Sequence, residues 1–299
     1  MELETPFNTL DLKIDAVNWP LFLEKGITVK ILRTDLIDPI VSGNKWFKLR
    51  YYLEEARALN KKTILTFGGA WSNHIVATAA ACSKFGFNSI GIIRGEEFSS
   101  NSITLKQAAE FGMKLEFVSR SSFTEIKRDT AYHYNDAYII SEGGYGILGA
   151  KGASTILSNI NMSSFSHLIC AVGTGTMFAG LINADTDQTR HIGISSMKNN
   201  FDLEKEIEPL IVDKSKNWKL IHGFDHGGFA KHSPSLIEFM NAFHLQTGIP
   251  TDIVYTGKMC FAVNKLAKED YYKRGSELLL VHSGGLQGNR SLEAGVLHF

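Results

Sequence analysis

Two lysines three residues apart, Lys45 and Lys48, stand at what reads as the start of a helix. Ser42-Gly43 closes a loop, Asn44 is a good N-cap, and Leu49, Tyr52, Leu53 and Ala56 recur at helical spacing. The spacing puts both ammonium groups on one face of the first turn. The helix already carries partial positive charge there, and each cation is destabilising by about 0.3–1 kcal/mol. No acidic residue follows before Glu54. Such a place suits an anion or an uncharged amine. Helix terminus and neighbouring cation both lower a lysine pKa, giving a nucleophile that can form a Schiff base with a carbonyl. The plain alternative is a pair of solvated lysines on a surface helix.

Other stretches could hold or attack a ligand. Gly173-Thr174-Gly175-Thr176 falls between an apolar run and a helix pattern, where glycines admit a ligand and backbone amides with threonine hydroxyls make a phosphate cradle. It is not the dinucleotide fingerprint, because the third glycine is replaced by Phe178, and Gly144–Lys151 is not a Walker loop, because Ala150 delays the lysine by one residue. An ordinary strand-to-helix turn is the alternative. Gly68-Gly69-Ala70-Trp71-Ser72-Asn73-His74 makes a similar junction. Ser72 fits an N-cap there, which leaves Trp71 and His74 without an account. A serine hydrolase is a poor fit: there is no GxSxG elbow, and Ser72 and His74 are two apart, where helical side chains diverge. His222 and His226 have a metal-ligand spacing, but Gly223, Gly227 and Gly228 argue against the helix that would make them converge, so no metal is expected. Ser283, in His282-Ser283-Gly284-Gly285, follows a strand pattern and so belongs at its carboxyl end.

Alternating strands and helices position these groups. Strands are expected at 27–32, 63–67, 88–93, 114–118, 137–140, 167–172, 190–195 and 277–281. Helices are expected from Asn44 to near Asn60, and over 72–85, 101–111, 123–134, 150–159, 177–184 and 257–268. Another starts at Ser233-Pro234 and stops at Gly248, with Pro250 beyond it. Residues 1–25 read as irregular, and the glycine-rich run 143–149 is a candidate domain junction. The alternation implies βαβ units and an α/β fold built on parallel sheet.

Composition excludes several classes. The 299 residues suffice for one large or two smaller domains with a real core. Basic and acidic residues number 31 each, without the basic cluster of a nucleic-acid binder. Cys82, Cys170 and Cys260 are odd in number and far apart, which argues against a disulfide framework and fits a reducing cytoplasm. No signal peptide and no apolar run of about 20 residues is found.

Taken in order, the motifs resemble those of the pyridoxal-phosphate enzymes of the 1-aminocyclopropane-1-carboxylate deaminase and D-cysteine desulfhydrase group, over nearly the whole chain. Gly43-Asn44-Lys45 with Lys48-Leu49 looks like the group's Schiff-base lysine motif. Gly68-Gly69 with Ser72-Asn73 is similar to its second motif and Gly173–Thr176 to its phosphate loop; Val254–Lys258 and His282–Gly285 look like its last two motifs. The resemblance implies a tryptophan-synthase-β-like fold (fold type II): two open, twisted, mostly parallel sheets flanked by helices. A large cofactor-binding domain would comprise 1–50 plus 149–299, with a smaller α/β domain, 51–148, inserted.

It implies roles as well. Lys45 would carry pyridoxal phosphate and move the substrate proton. Lys48 with Gly173, Thr174, Gly175 and Thr176 would hold the phosphate, and Asn73 the phenolic oxygen. Ser72 would hold substrate carboxylate or assist proton transfer, with Asn73 and His74 beside it. Tyr255 and Phe229 would flank the substrate, and Thr256 and Ser283 are candidate partners of the pyridine nitrogen. Ring-opening deaminases usually have glutamate at the position of Thr256. A hydroxyl there suits β-elimination from a small amino acid, giving a 2-oxo acid and ammonia, by a homodimeric enzyme. Phe229 and His74 depart from the group's usual tyrosine and glutamine. They motivate one rival, a non-catalytic cofactor-binding relative; residues 173–176 motivate another, a nucleotide-binding oxidoreductase.

Overall fold

The structure is a computed structural model and describes residues 9, 11–95, 102–129, 134–185 and 189–299. In chain order, β1 (Ile14–Ala16), α1 (Pro20–Lys25), β2 (Thr28–Leu32) and α2 (Asn44–Ala58) lead into a first α/β run. That run is β3 (Thr63–Gly69), α3 (Asn73–Phe85), β4 (Asn88–Arg94), α4 (Ile103–Glu110), β5 (Met113–Val118), α5 (Arg120–Arg128) and β6 (Ala137–Ile140). After it come α6 (Ile147–Ser154), β7 (His167–Val172), α7 (Thr176–Ala184), β8 (Arg190–Ser195), α8 (Leu203–Ile207), β9 (Trp218–Ile221), α9 (Pro234–Thr247), α10 (Thr256–Lys268) and β10 (Glu277–Val281).

These strands form two sheets. One has the order β1-β2-β10-β7-β8-β9, parallel throughout except for β1, which runs antiparallel to β2. The other has the order β5-β4-β3-β6 and is parallel throughout. Helices cover both faces of the larger sheet, and its inner strands are accordingly mostly buried: every residue of β7 is, and all but the first residue of β8 and of β10. The pleat divides β10 between two cores. Leu278 and Leu280 pack with Phe243, Met259 and Val263 of α9 and α10. Leu279 and Val281 pack on the other face, with Ala150, Ala153 and Phe178 of α6 and α7.

α2 bridges the two sheets. Trp46, Leu49, Leu53 and Ala56 join a core with Ile64 and Ala77 of the smaller sheet and its helix, while Phe47 belongs to the core of the larger one. Its start differs from expectation. Asn44 is the first helical residue and Gly43 the cap, at φ +61°. A Cβ at Gly43 would collide with the Ser283 carbonyl, so only glycine fits. Elsewhere the local signals hold. The Ser233 hydroxyl accepts from Leu236 N, Pro234 opens α9, and Gly248 ends it in the left-handed conformation.

Four elements run against or beyond the sequence reading. Residues 14–25 are not irregular but hold β1 and α1, and β9 and α8 were not foreseen. All four are of three to six residues, too short to show a period. The helix expected over 150–159 begins earlier, at Ile147, and tightens into a 3₁₀ turn at Thr155–Leu157. That expected over 123–134 spans 120–128 instead; residues 130–133 lie outside the described residues, as does 101 of the helix expected over 101–111.

Candidate active site

The carboxyl ends of β3, β4, β7 and β10 face one cleft of about 510 Å³, which takes its walls from both sheets. α2 delivers two lysines to it. Lys45 is partly exposed to the cleft, and its Nζ donates to Asn44 Oδ1 at 2.7 Å. Burial pushes its ammonium down to about 8, against the attraction of Asp252. Lys48 is buried, with its Nζ on the Gly143 carbonyl at 3.0 Å. Burial first and Lys45 second drive its pKa well below the ordinary lysine value, opposed by Cys170. Both amines are therefore poised to lose a proton or to meet an anion.

The turn after β3 supplies the opposite wall. Ser72 is the N-cap of α3, its hydroxyl accepting from Ile75 N at 3.4 Å. Asn73 donates through Nδ2 to the Gly285 carbonyl at 2.9 Å, while its Oδ1 is buried without a partner among the described residues. The Thr66 hydroxyl fixes the tautomer of His74. Its one proton goes to the Ile140 carbonyl, so toward His74 Nε2, at 2.8 Å, it can only accept. Nε2 carries the hydrogen, and Nδ1 is a buried lone pair without a partner among the described residues. Burial, then Lys45, then Lys48 hold the imidazole neutral, well below its ordinary pKa.

Across the cleft, β7 is followed by Gly173, and α7 begins at Thr176 after Gly175, which takes φ +80°. The cap of α7 is Gly175, which has no side chain to bond its first amides, and among the described residues these remain available to an anion. Thr174 and Thr176 hydroxyls lie 3.2 Å apart; Thr176 is buried and only Thr174 lines the cleft. Tyr255 packs over Gly173, where a Cβ would meet its ring at 3.0 Å. Burial raises its phenol pKa, and Asp252 and Glu142 add to the effect. Phe229 stands edge-on to Tyr255, with ring centroids 6.4 Å apart.

The two expected partners of a ring nitrogen separate here. Thr256 is fully buried; its hydroxyl donates to Asp252 Oδ1 at 2.7 Å and accepts from Asp252 N at 2.9 Å, and it does not line the cleft. Ser283 does line it. Asp252 is the residue that sequence reasoning missed. Its carboxylate accepts from the amides of Val254, Tyr255 and Thr256 as well as from the Thr256 hydroxyl, which fixes the turn that presents Tyr255. An aspartate four residues ahead of a helix start was the available signal. Arg94, Arg120 and Glu142 at the cleft were also missed, having no motif around them. His222 and His226 do not converge: one pairs with Glu204 at 3.1 Å, the other with the Ser233 hydroxyl at 2.7 Å.

The family profile described as pyridoxal-phosphate dependent enzyme matches residues 31–284, the span from β2 through the Ser283 turn. The chain belongs to that family. It is 28% identical over 283 residues to a Pyrococcus horikoshii protein provisionally named 1-aminocyclopropane-1-carboxylate deaminase, covering 89% of this chain and 86% of that one. It is 25% identical over 297 residues to the bifunctional D-cysteine desulfhydrase/1-aminocyclopropane-1-carboxylate deaminase, mitochondrial, of Arabidopsis thaliana, covering 89% and 74%. A solved structure of a 1-aminocyclopropane-1-carboxylate deaminase homologue superposes with a TM-score of 0.80 at 23% identity, covering 93% and 90%. The two mainly parallel sheets are those of fold type II.

The site fits the cofactor on its own terms. A lysine lowered to about 8 opens on the same cleft as an uncapped helix N-terminus flanked by threonines and a second lysine. Asn73 brings an unpartnered buried polar atom to the wall between them. Among the described residues no helix is long and apolar enough to cross a membrane.

Proposed function

We propose that this enzyme eliminates a β-substituent from a small amino acid, giving a 2-oxo acid and ammonia, as D-cysteine desulfhydrases do. The observation that carries the reading is the pairing, in one cleft, of the Lys45 amine with an anion cradle at the start of α7. Lys45 would bind pyridoxal phosphate covalently. Lys48, Gly173, Thr174, Gly175 and Thr176 would hold its phosphate, Asn73 its phenolic oxygen, and Ser283 its ring nitrogen. When bound, the cofactor acts as an electron sink for the bonds at the substrate's α-carbon.

The chain's own groups do the rest. The Lys45 amine takes the α-proton from substrate. Ser72, with the amides at the start of α3, binds the substrate carboxylate. Tyr255 and Phe229 flank the side chain and exclude water. His74, neutral and protonated on Nε2, offers a lone pair to a substrate donor. Thr256, which motivated the preference for elimination, takes no direct part. Its hydroxyl is occupied by Asp252, so the preference rests on Ser283 being a hydroxyl rather than a carboxylate. The relatives named for desulfhydrase activity support elimination, and those named for deaminase activity keep ring opening as the second reading.

The visible absorption spectrum of the purified protein, beside Lys45→Ala, tests the cofactor and its lysine. D-cysteine, D-serine and 1-aminocyclopropane-1-carboxylate added in turn then test the substrate. A protein with the band that turns over none of them is a non-catalytic relative. We further propose that residues 51–148 form a separate smaller domain, supported by their containing all four strands of one sheet. A homodimer in a reducing cytoplasm is supported by the family resemblance and by three buried, unpaired thiols; sedimentation tests the dimer and fractionation of cells the compartment.

A further inference from the structure

Lys258 is fully buried in the first turn of α10, a position that disfavours a cation through both the helix dipole and lost hydration. Its ammonium is nonetheless well held. Nζ donates to the carbonyls of Asp225 and Gly228 at 2.7 Å each and lies 3.5 Å from that of Ser196. Ser196 follows β8, and the other two carbonyls lie between β9 and α9. Each wall of the cleft here is next to one of these anchors: Met197 follows Ser196, Phe229 follows Gly228, and Tyr255 is one turn ahead of Lys258.

Residues 222–232 hold no helix or strand, and the backbone takes positive φ at Gly223, His226, Gly227, Gly228 and Ala230. For His226 and Ala230 that conformation persists only where the surroundings impose it. Other contacts share the work with Lys258: Gly228 N donates to the Asp225 carbonyl at 3.0 Å and Lys231 N to the Gly228 carbonyl at 3.1 Å, Phe224 and Ala230 pack against the core, and His222 pairs with Glu204 at 3.1 Å. Asp225 Oδ1 accepts from Gly227 N at 2.9 Å, and His226 meets the Ser233 hydroxyl at 2.7 Å and the edge of Phe261.

We propose that Lys258 is a positioning residue that ties the 225–228 backbone and the end of β8 to the Tyr255 turn, so that Phe229 and Tyr255 stand as a fixed aromatic pair limiting the size of the substrate side chain. The inference rests on reading the cleft as an amino-acid site. It assigns control of specificity to a side chain that never meets the substrate. An ammonium has three N–H bonds for three carbonyls, and a neutral amine has two. Burial lowers this one to about 8, against the attraction of Asp252 and Asp225. His226 faces it and is itself lowered, by burial first and then by Lys258; Lys198 and Lys231 pack on the outer side, against Gly228 and Gly227. The tie therefore loosens as pH rises through about 8.

Hydrogen exchange over 222–232 and steady-state kinetics with D-cysteine, on the holoenzyme and its Lys258→Met variant, test this. The variant keeps the cofactor's visible band, loses protection over 222–232 by about tenfold, and shows KM raised about tenfold with kcat within about twofold. In the wild type, protection of that segment falls relative to α9 between about pH 7 and 9.5; in the variant it is already low and flat. Unchanged protection in the variant, or an unchanged KM, overturns the proposal. Should the variant fail to fold, the wild-type series decides, and flat protection across that range overturns it. A protein without band or turnover would defeat the proposed function, while the exchange data would still judge the tie.

Discussion

α2 and α10 each carry in the first turn a lysine whose pKa is lowered by burial, and the two have opposite surroundings. Burial brings Lys45 and Lys258 alike to about 8. Lys258 has three carbonyls around its ammonium, while Lys45 has the single Asn44 oxygen and a second cation, Lys48, one turn away. A lowered pKa therefore does not separate the lysine proposed to react from the one proposed to position. The hydrogen-bond inventory does. An amine left with unused donors beside an open cleft can exchange its partner for a carbonyl compound; an amine enclosed by backbone oxygens cannot.

The largest effect that could break the contrast is on chemistry. Lys45→Ala should remove the visible band and lower turnover by at least about 10³-fold, whereas Lys258→Met should keep the band. Spectra of the two variants side by side would dissolve the contrast if both lost it. Lys48→Met should weaken cofactor affinity by about 10- to 100-fold, by removing a charge from the phosphate site, as read by titration of apoprotein with pyridoxal phosphate. Stability of the apoprotein should change in opposite directions. Lys45→Met relieves a poorly satisfied, partly buried cation and should stabilise by about 1–3 kcal/mol at neutral pH. Lys258→Met takes one donor from three carbonyls, of which those of Asp225 and Gly228 keep a backbone amide each, and should destabilise by about 1–3 kcal/mol. Denaturant midpoints measure both, and equal signs would refute the distinction.

The smallest expected effect is linkage. Folding lowers the Lys45 pKa from its unfolded value, so between about pH 8 and 10.5 the unfolded chain binds a proton that the native one does not. Apoprotein stability gains a contribution as pH rises through that window, and below it the penalty is fully present. The gain should shrink in Lys45→Met; thermal midpoints across the window show whether it does.

The comparison also marks what the sequence could express. Lys45 and Lys48 stood out because a local rule, no cations at a helix start, was broken within four residues, and the reason lay in the same stretch. Lys258 breaks the same rule, but its partners are 30 to 62 residues away, and no local pattern announces them. Strands such as 167–172, 190–195 and 277–281 were legible to the residue because both faces are buried and each holds an apolar stretch, Leu168–Val172, Ile192–Ile194 and Leu278–Val281. β9, at four residues, has only one neighbouring strand and was missed. Thr256 was read from its motif as facing a ligand. Only the contact with Asp252 shows it turned inward, because the rotamer of a hydroxyl beside a competing carboxylate is a matter of geometry.

One feature of the larger sheet bears on how the protein is made. β10 lies between β2 and β7, and the turn it ends in packs directly on Gly43, beneath Lys45. During synthesis β2 and β7 emerge before the strand that lies between them, and the Ser283 contact beneath Gly43 forms only once residues 277–285 arrive. The four strands of the smaller sheet, β3 to β6, are contiguous in sequence and are all made beforehand. The cleft is thereby completed by the last part of the chain to be made, and a nascent chain stopped short of Glu277 should hold no cofactor.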